Sequence, residues 1–90
     1  MKKDRAKKNS DLKPYTIFSY NTIHLLKKDK IRFYYALKGR DGKTGVVKQY
    51  QITQLGRTVL LVPQKYAIPV EDFLKYWKCK YRSREAFLRD

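Results

Sequence analysis

The side chains with the most chemistry to offer are cations: 22 Lys and Arg stand against 8 Asp and Glu in 90 residues, a formal net charge of +14. Each ammonium or guanidinium that contacts a phosphate releases a counterion from the polymer. Several such contacts therefore multiply into orders of magnitude of affinity at low salt. The charge is spread along the chain rather than gathered in one tail. Residues 1–13 carry six basic and two acidic side chains, residues 27–57 nine and two, and residues 64–90 seven and four. Within the part that reads as folded, net charge is densest in the middle, and the partner class it points to is nucleic acid.

Other chemistries find little support. His24 sits beside Leu25 with no acidic partner or nucleophile spaced to work with it. Cys79 lies among Lys78, Lys80 and Arg82, which would lower its pKa on an exposed surface, yet no motif completes a nucleophilic site. One His and one Cys cannot build a four-ligand zinc site, and a lone Cys forms no intrachain disulfide, which fits a reducing, intracellular compartment. The stretch Gly39-Arg40-Asp41-Gly42-Lys43-Thr44-Gly45 lacks the P-loop spacing and reads as a turn. No catalytic residue, metal, cofactor or small-molecule substrate is expected. The longest purely apolar run, Val59-Leu60-Leu61-Val62, is far short of the ~20 residues of a membrane helix. The basic start leads into Asn9-Ser10-Asp11 rather than an apolar signal core.

The cations need a scaffold. Residues 1–13, apolar only at Met1, Ala6 and Leu12, read as a basic disordered arm, and residues 14–90 as a single domain with a modest core. Tyr15, Ile17 and Phe18 form the first apolar cluster. The spacing of Ile23 and Leu26, with Asn21 as N-cap, predicts a short helix over 19–27. Residues 29–39 satisfy two templates. As a helix they have Asp29 as cap, Phe33, Ala36 and Leu37 on one face, and Gly39 as the stop. As a strand they alternate Ile31, Phe33, Tyr35 and Leu37 and run into an Asp-Gly hairpin signal. Val46 to Ile52 alternates as a strand, and residues 57–62 form a second β-prone run ended by Pro63. From Pro69 onward, Val70, Phe73, Leu74, Trp77 and Tyr81 mark an amphipathic helix, with Glu71 and Asp72 near its N-terminus and Ser83 capping a final turn through Phe87 and Leu88.

With the helical option, the order helix, turn, helix, Gly-rich loop, strand, strand resembles a small winged helix-turn-helix, an α+β fold. The residues Leu25-Leu26-Lys27-Lys28-Asp29-Lys30-Ile31-Arg32-Phe33 are similar to the turn into a recognition helix. Gly45 to Arg57 looks like the wing of small archaeal and MarR-like regulators. Gly56-Arg57 through Pro63 and Val70-Glu71-Asp72-Phe73-Leu74 resembles phage and transposon excisionases. The resemblance implies a transcriptional regulator or an excisionase-like recombination accessory that binds double-stranded DNA, with the C-terminal helix completing the core or pairing two copies. A viral, plasmid or microbial source is expected.

On that reading Arg32, Tyr35 and Lys38 reach groove edges, with Arg32 first and Arg40 next for guanine readout, while Lys28, Lys30, Lys43, Lys48 and Arg57 track phosphates. Lys2, Lys3 and Arg5 of the arm lie in a minor groove or along the backbone. Tyr34, Tyr35, Tyr50 and Trp77 divide between base stacking and core packing, with the core favoured. Two alternatives stand. Taken as a strand, residues 31–39 give an SH3-like β-meander barrel capped by the C-terminal helix, suited to RNA, ribosomal RNA or chromatin DNA. A basic viral or mobile-element protein that inhibits a host protein is the other.

Overall fold

The computed structural model describes residues 12–89. The fold is α+β: a four-stranded antiparallel sheet with its helices on one face. The central strand β1 spans Leu12–Tyr20 and is followed by helix α1, Lys27–Lys38, and the one-turn helix α2, Val46–Gln49. The strands β2 (Thr53–Gly56) and β3 (Val59–Pro63) form a hairpin. A 3₁₀ turn (Gln64–Tyr66) leads into helix α3, Ala67–Tyr76, and β4 closes the chain at Tyr81–Arg89. The sheet order is β2-β3-β1-β4, so β1 is hydrogen-bonded on both sides.

The period-2 alternation of β1 turns Thr16, Phe18 and Tyr20 toward the helices, where all three are buried. From β3 the same face receives Leu60 and Val62, from α1 Phe33 and Leu37, and from α3 Val70 and Leu74. Phe33 is the hub: its ring lies 5.4 to 5.6 Å from those of Tyr20, Tyr34, Phe73 and Trp77. Leu61, only 9% exposed but on the opposite sheet face, stands outside this cluster.

Several expectations need correction. Residues 19–27 are not a helix: Ser19 and Tyr20 end β1, and the Asn21 side-chain oxygen accepts the Ile23 N–H at 3.4 Å in a turn. Backbone bonds from Tyr20 to Thr58 and from Asn21 to Lys80 hold this segment in the sheet, and Ile23 and Leu26 face solvent at 82% and 65% exposure. With no helix there, the helix-turn-helix pair expected across residues 19–38 is absent. Residues 27–38 are helical, which removes the β-meander barrel. The cap is Leu26, with Asp29 in the first turn.

Residues 46–52 are not a strand either. Val46, Val47 and Tyr50, at helical spacing, pack together against the core, and Ile52 N–H bonds to the Val47 carbonyl. This geometry is set by the 39–45 turn, in which Gly39 and Gly45 touch backbone to backbone. A Cβ on Gly45 would collide with Gly39 N and the Leu37 carbonyl oxygen, and Gly39 itself has φ +81°.

The last helix is shorter than its apolar stripe implied. Lys78, at φ 58°, is a left-handed stop, with Lys78 N–H bonded to the Lys75 carbonyl and Cys79 N–H to that of Leu74. Tyr81 therefore begins β4, and Ser83 lies opposite Phe18 in the strand rather than capping a turn. The long free edge of β1 captures residues 81–89, which would otherwise end as an isolated and marginal segment. The ladder also takes in Leu12 and Lys13, two residues earlier than the expected domain start.

Candidate nucleic-acid interface

A groove of about 540 Å³ runs between α1 and the turn of the β2–β3 hairpin. Lys30, Tyr34 and Lys38, spaced four apart on one side of α1, form one wall, and Arg57, Thr58 and Thr22 form the other. The sequence positions each wall. Phe33 and Leu37 anchor α1 to the core, which leaves the neighbouring 30-34-38 stripe facing sideways along the sheet. Opposite, the β2–β3 ladder brings Gln54 across from Leu60 and Gly56 across from Val59, throwing Arg57 out at the turn. The hairpin is tied down by Tyr20, whose N–H bonds to the Thr58 carbonyl at 3.0 Å and whose phenol donates to the Arg57 carbonyl at 3.5 Å. Burial pushes the Tyr20 phenol above its ordinary pKa, so it stays a neutral donor.

Among the described residues, no acidic side chain lines this groove. Lys38 stands over the Tyr34 ring at 5.9 Å, a cation–π contact that orders the ammonium without neutralising it. Three cations, two hydroxyls and a phenol on facing walls are all donors, suited to hold phosphate oxygens.

The outer side of α1 carries a second set. Lys28, Arg32 and Tyr35 are exposed, Tyr35 at 46%, and the Arg40 guanidinium lies 5.0 Å over the Tyr35 ring. Arg32 projects well away from Lys30, so the expected readout residue and the phosphate groove are on different sides of the helix. Lys43 sits in the 39–45 turn and Lys48 on α2, both exposed and outside the groove. Asp41, in the same turn, is an exposed anion fixed by local bonds: its carboxylate accepts from Lys43 N, Thr44 N and the Thr44 hydroxyl at 2.8 to 3.1 Å. These bonds, with Lys43 N first, hold its pKa below the usual carboxylate value. Lys2, Lys3 and Arg5 lie outside the described residues.

Of the four aromatics weighed for base stacking, Tyr34, Tyr50 and Trp77 pack against the core, Tyr50 with its ring 5.4 Å from Tyr66, and Tyr35 is exposed. Groups with catalytic potential are otherwise occupied. His24 Nε2–H donates to the Trp77 carbonyl at 2.8 Å. Cys79 is buried, and burial raises its thiol pKa rather than lowering it. Glu71 accepts the Tyr81 phenol at 2.7 Å and pairs with Lys75 at 3.9 Å. Among the described residues no three His, Cys, Asp or Glu side chains converge as a metal site, and no helix is long and apolar enough to cross a membrane.

Sequence reasoning named Lys30, Lys38 and Arg57, weighed Tyr34 only for base stacking or the core, and missed Thr22 and Thr58. The spacing of four from Lys30 to Tyr34 to Lys38 was the available signal for the tyrosine. The threonines become groove walls only through the sheet. No protein family matches the chain, and no curated protein or solved structure matches it.

Proposed function

We propose that the protein binds double-stranded DNA, gripping the phosphate backbone in the groove between α1 and the β2–β3 hairpin, as a transcriptional regulator or a recombination accessory. The observation that carries this reading is the acid-free groove that brings Lys30, Lys38 and Arg57 together in a chain of net charge +14. Phosphate contacts of this kind position a duplex without reading it. Sequence preference falls to the outer side of α1, where Arg32 is the residue able to pair bidentately with guanine. Support for a winged-helix relationship is partial. The Gly56-Arg57 turn, the strand ending at Pro63 and a following helix occur in the expected order, but that helix begins at Ala67 with no acidic residue in its first turn, and the two helices before the hairpin are not the expected helix-turn-helix pair. However, α2 is a single turn, too short to enter a major groove, so α1 is the reading helix in this proposal.

The test is fluorescence anisotropy with labelled duplex DNA, single-stranded DNA and duplex RNA across a salt series. Tighter binding to duplex DNA is expected, with a slope that loses about 0.9 for each of Lys30→Ala, Lys38→Ala and Arg57→Ala. Preference for RNA would instead favour the ribosome-associated alternative, and no binding to any of the three would leave inhibition of a protein partner. Apolar pairing of two copies through α3 is available only to its exposed large apolar side chains, Ile68 and Tyr76, because Val70 and Leu74 are spent on the core. Light scattering of Tyr76→Ser beside wild type decides whether they are used.

A further inference from the structure

Two more concavities open on the far side of β1 from the groove. One, of about 320 Å³, is lined by Asn21, Ile23, His24, Lys78 and Lys80; the other, of about 270 Å³, by Ser19, Asn21, Lys80, Tyr81 and Arg82. They share Asn21 and Lys80 and, like the groove, have no acidic lining. Asn21 directly precedes Thr22 of the groove wall. The backbone ties all three together at one end of the sheet. The N–H of Tyr20 bonds to the Thr58 carbonyl on one side at 3.0 Å, and the N–H of Asn21 bonds to the Lys80 carbonyl on the other at 3.1 Å.

We propose that Lys78, Lys80 and Arg82 form a second phosphate-binding surface, continuous with the Lys30/Lys38/Arg57 groove across Asn21 and Thr22, so that one DNA backbone runs across the whole end of the sheet. The inference rests on the nucleic-acid reading above and extends it to residues on the other side of β1. The dimensions agree. Thr58 and Lys80 flank β1, so their backbones are about 10 Å apart at two strand spacings. Phosphates of one DNA strand advance about 3.4 Å each along the axis, so the crossing alone spans about three of them.

The chain presents these cations by a specific device. The left-handed stop at Lys78 ends α3 and turns the chain straight into β4, placing residues 78, 80 and 82 at the edge of the same end as the hairpin turn. The acidic residues nearest them in sequence are Asp72, exposed on α3, Glu71, which accepts from Tyr81 and pairs with Lys75, and Glu85, which lies across from Thr16 further along the ladder. Ile23 lines the same concavity as Lys78 and Lys80, where it offers the sugar face of the backbone an apolar contact.

The experiment compares salt slopes of duplex binding for wild type, a triple variant (Lys78→Asn, Lys80→Gln, Arg82→Gln) and a control triple variant (Lys65→Gln, Lys75→Gln, Arg89→Gln) that loses the same charge elsewhere. Asn is chosen at 78 because it tolerates the left-handed backbone. The expected result is a slope flattened by about 2 to 3 in the first variant and far less in the control. Equal slopes in wild type and the first variant, or equal flattening in both variants, overturns the second surface while leaving DNA binding intact. No duplex binding by wild type overturns both proposals. Amine acetylation of unmutated protein gives a readout independent of variant folding. Bound duplex should protect Lys78 and Lys80 and leave Lys65 reactive, and full reactivity at both overturns the inference.

Discussion

Arg32 and Arg57 carry the same charge and are given different work by their positions. Arg57 stands at a hairpin turn facing a groove of cations and hydroxyls, so Arg57→Ala should weaken binding by a similar factor on every duplex sequence. Arg32 is on the open side of α1, so Arg32→Ala should remove about 1–3 kcal/mol of discrimination at one base pair and change the salt slope little. Competition binding against a randomised duplex pool separates the two, and an unchanged preference in Arg32→Ala would rule it out as the reader. A different residue, Tyr81, tests the packing of β4. Its phenol donates to Glu71, and that bond first, with burial second, raises its pKa to about 12. The bond's contribution is complete below about pH 10, where the unfolded phenol begins to ionise, and is lost as pH rises through about 12. Tyr81→Phe should cost about 1 kcal/mol near neutral pH, with a shallower alkaline decline, as read by urea melts. The cationic character of these residues was plain in the sequence. Their division into groove, outer face and second surface was not, because it depends on which side of the helix and of β1 each one occupies.

The 39–45 turn decides how the elements fit. Gly45→Ala places a methyl against Gly39 N and the Leu37 carbonyl and should cost about 3 kcal/mol or more, with loss of the α1–α2 packing. Gly42→Ala, at φ +72° with open space around it, should cost only about 1 kcal/mol. Equal melts for the two would mean that the close approach is not what holds the turn. This turn also explains what the sequence could and could not show. The apolar spacing of Phe33 and Leu37 with Gly39 as a stop was visible and made α1 one of two possible readings. Nothing local could choose between them, since the deciding contact is between two glycines six residues apart. In the same way, Ile23 and Leu26 have helical spacing but no core to face, because their segment belongs to the exit of a strand whose partners are 38 and 59 residues further on. At the other end, Tyr81 continued the stripe of α3 so well that the strand following Lys78 was hidden, and with it the placement of Lys80 and Arg82.

Across the whole molecule, the cationic end and the start of β1 are opposite ends of one strand. Nine residues of extended chain separate Leu12 from Tyr20 by roughly 26 Å. Deleting residues 1–11 should therefore lower the salt slope without touching the groove or changing the melting temperature, and an unchanged slope would show that the arm makes no phosphate contacts. Phe33→Ala, at the hub shared by β1, α1 and α3, should cost about 3–5 kcal/mol and abolish binding only where the fold is lost. One pairing has a practical corollary. Leu12 and Arg89 sit on the same rung of the β1–β4 ladder, so the described chain leaves and re-enters the sheet at a single corner. A short peptide bridging that corner would join the two ends of the ladder and permit circular permutation.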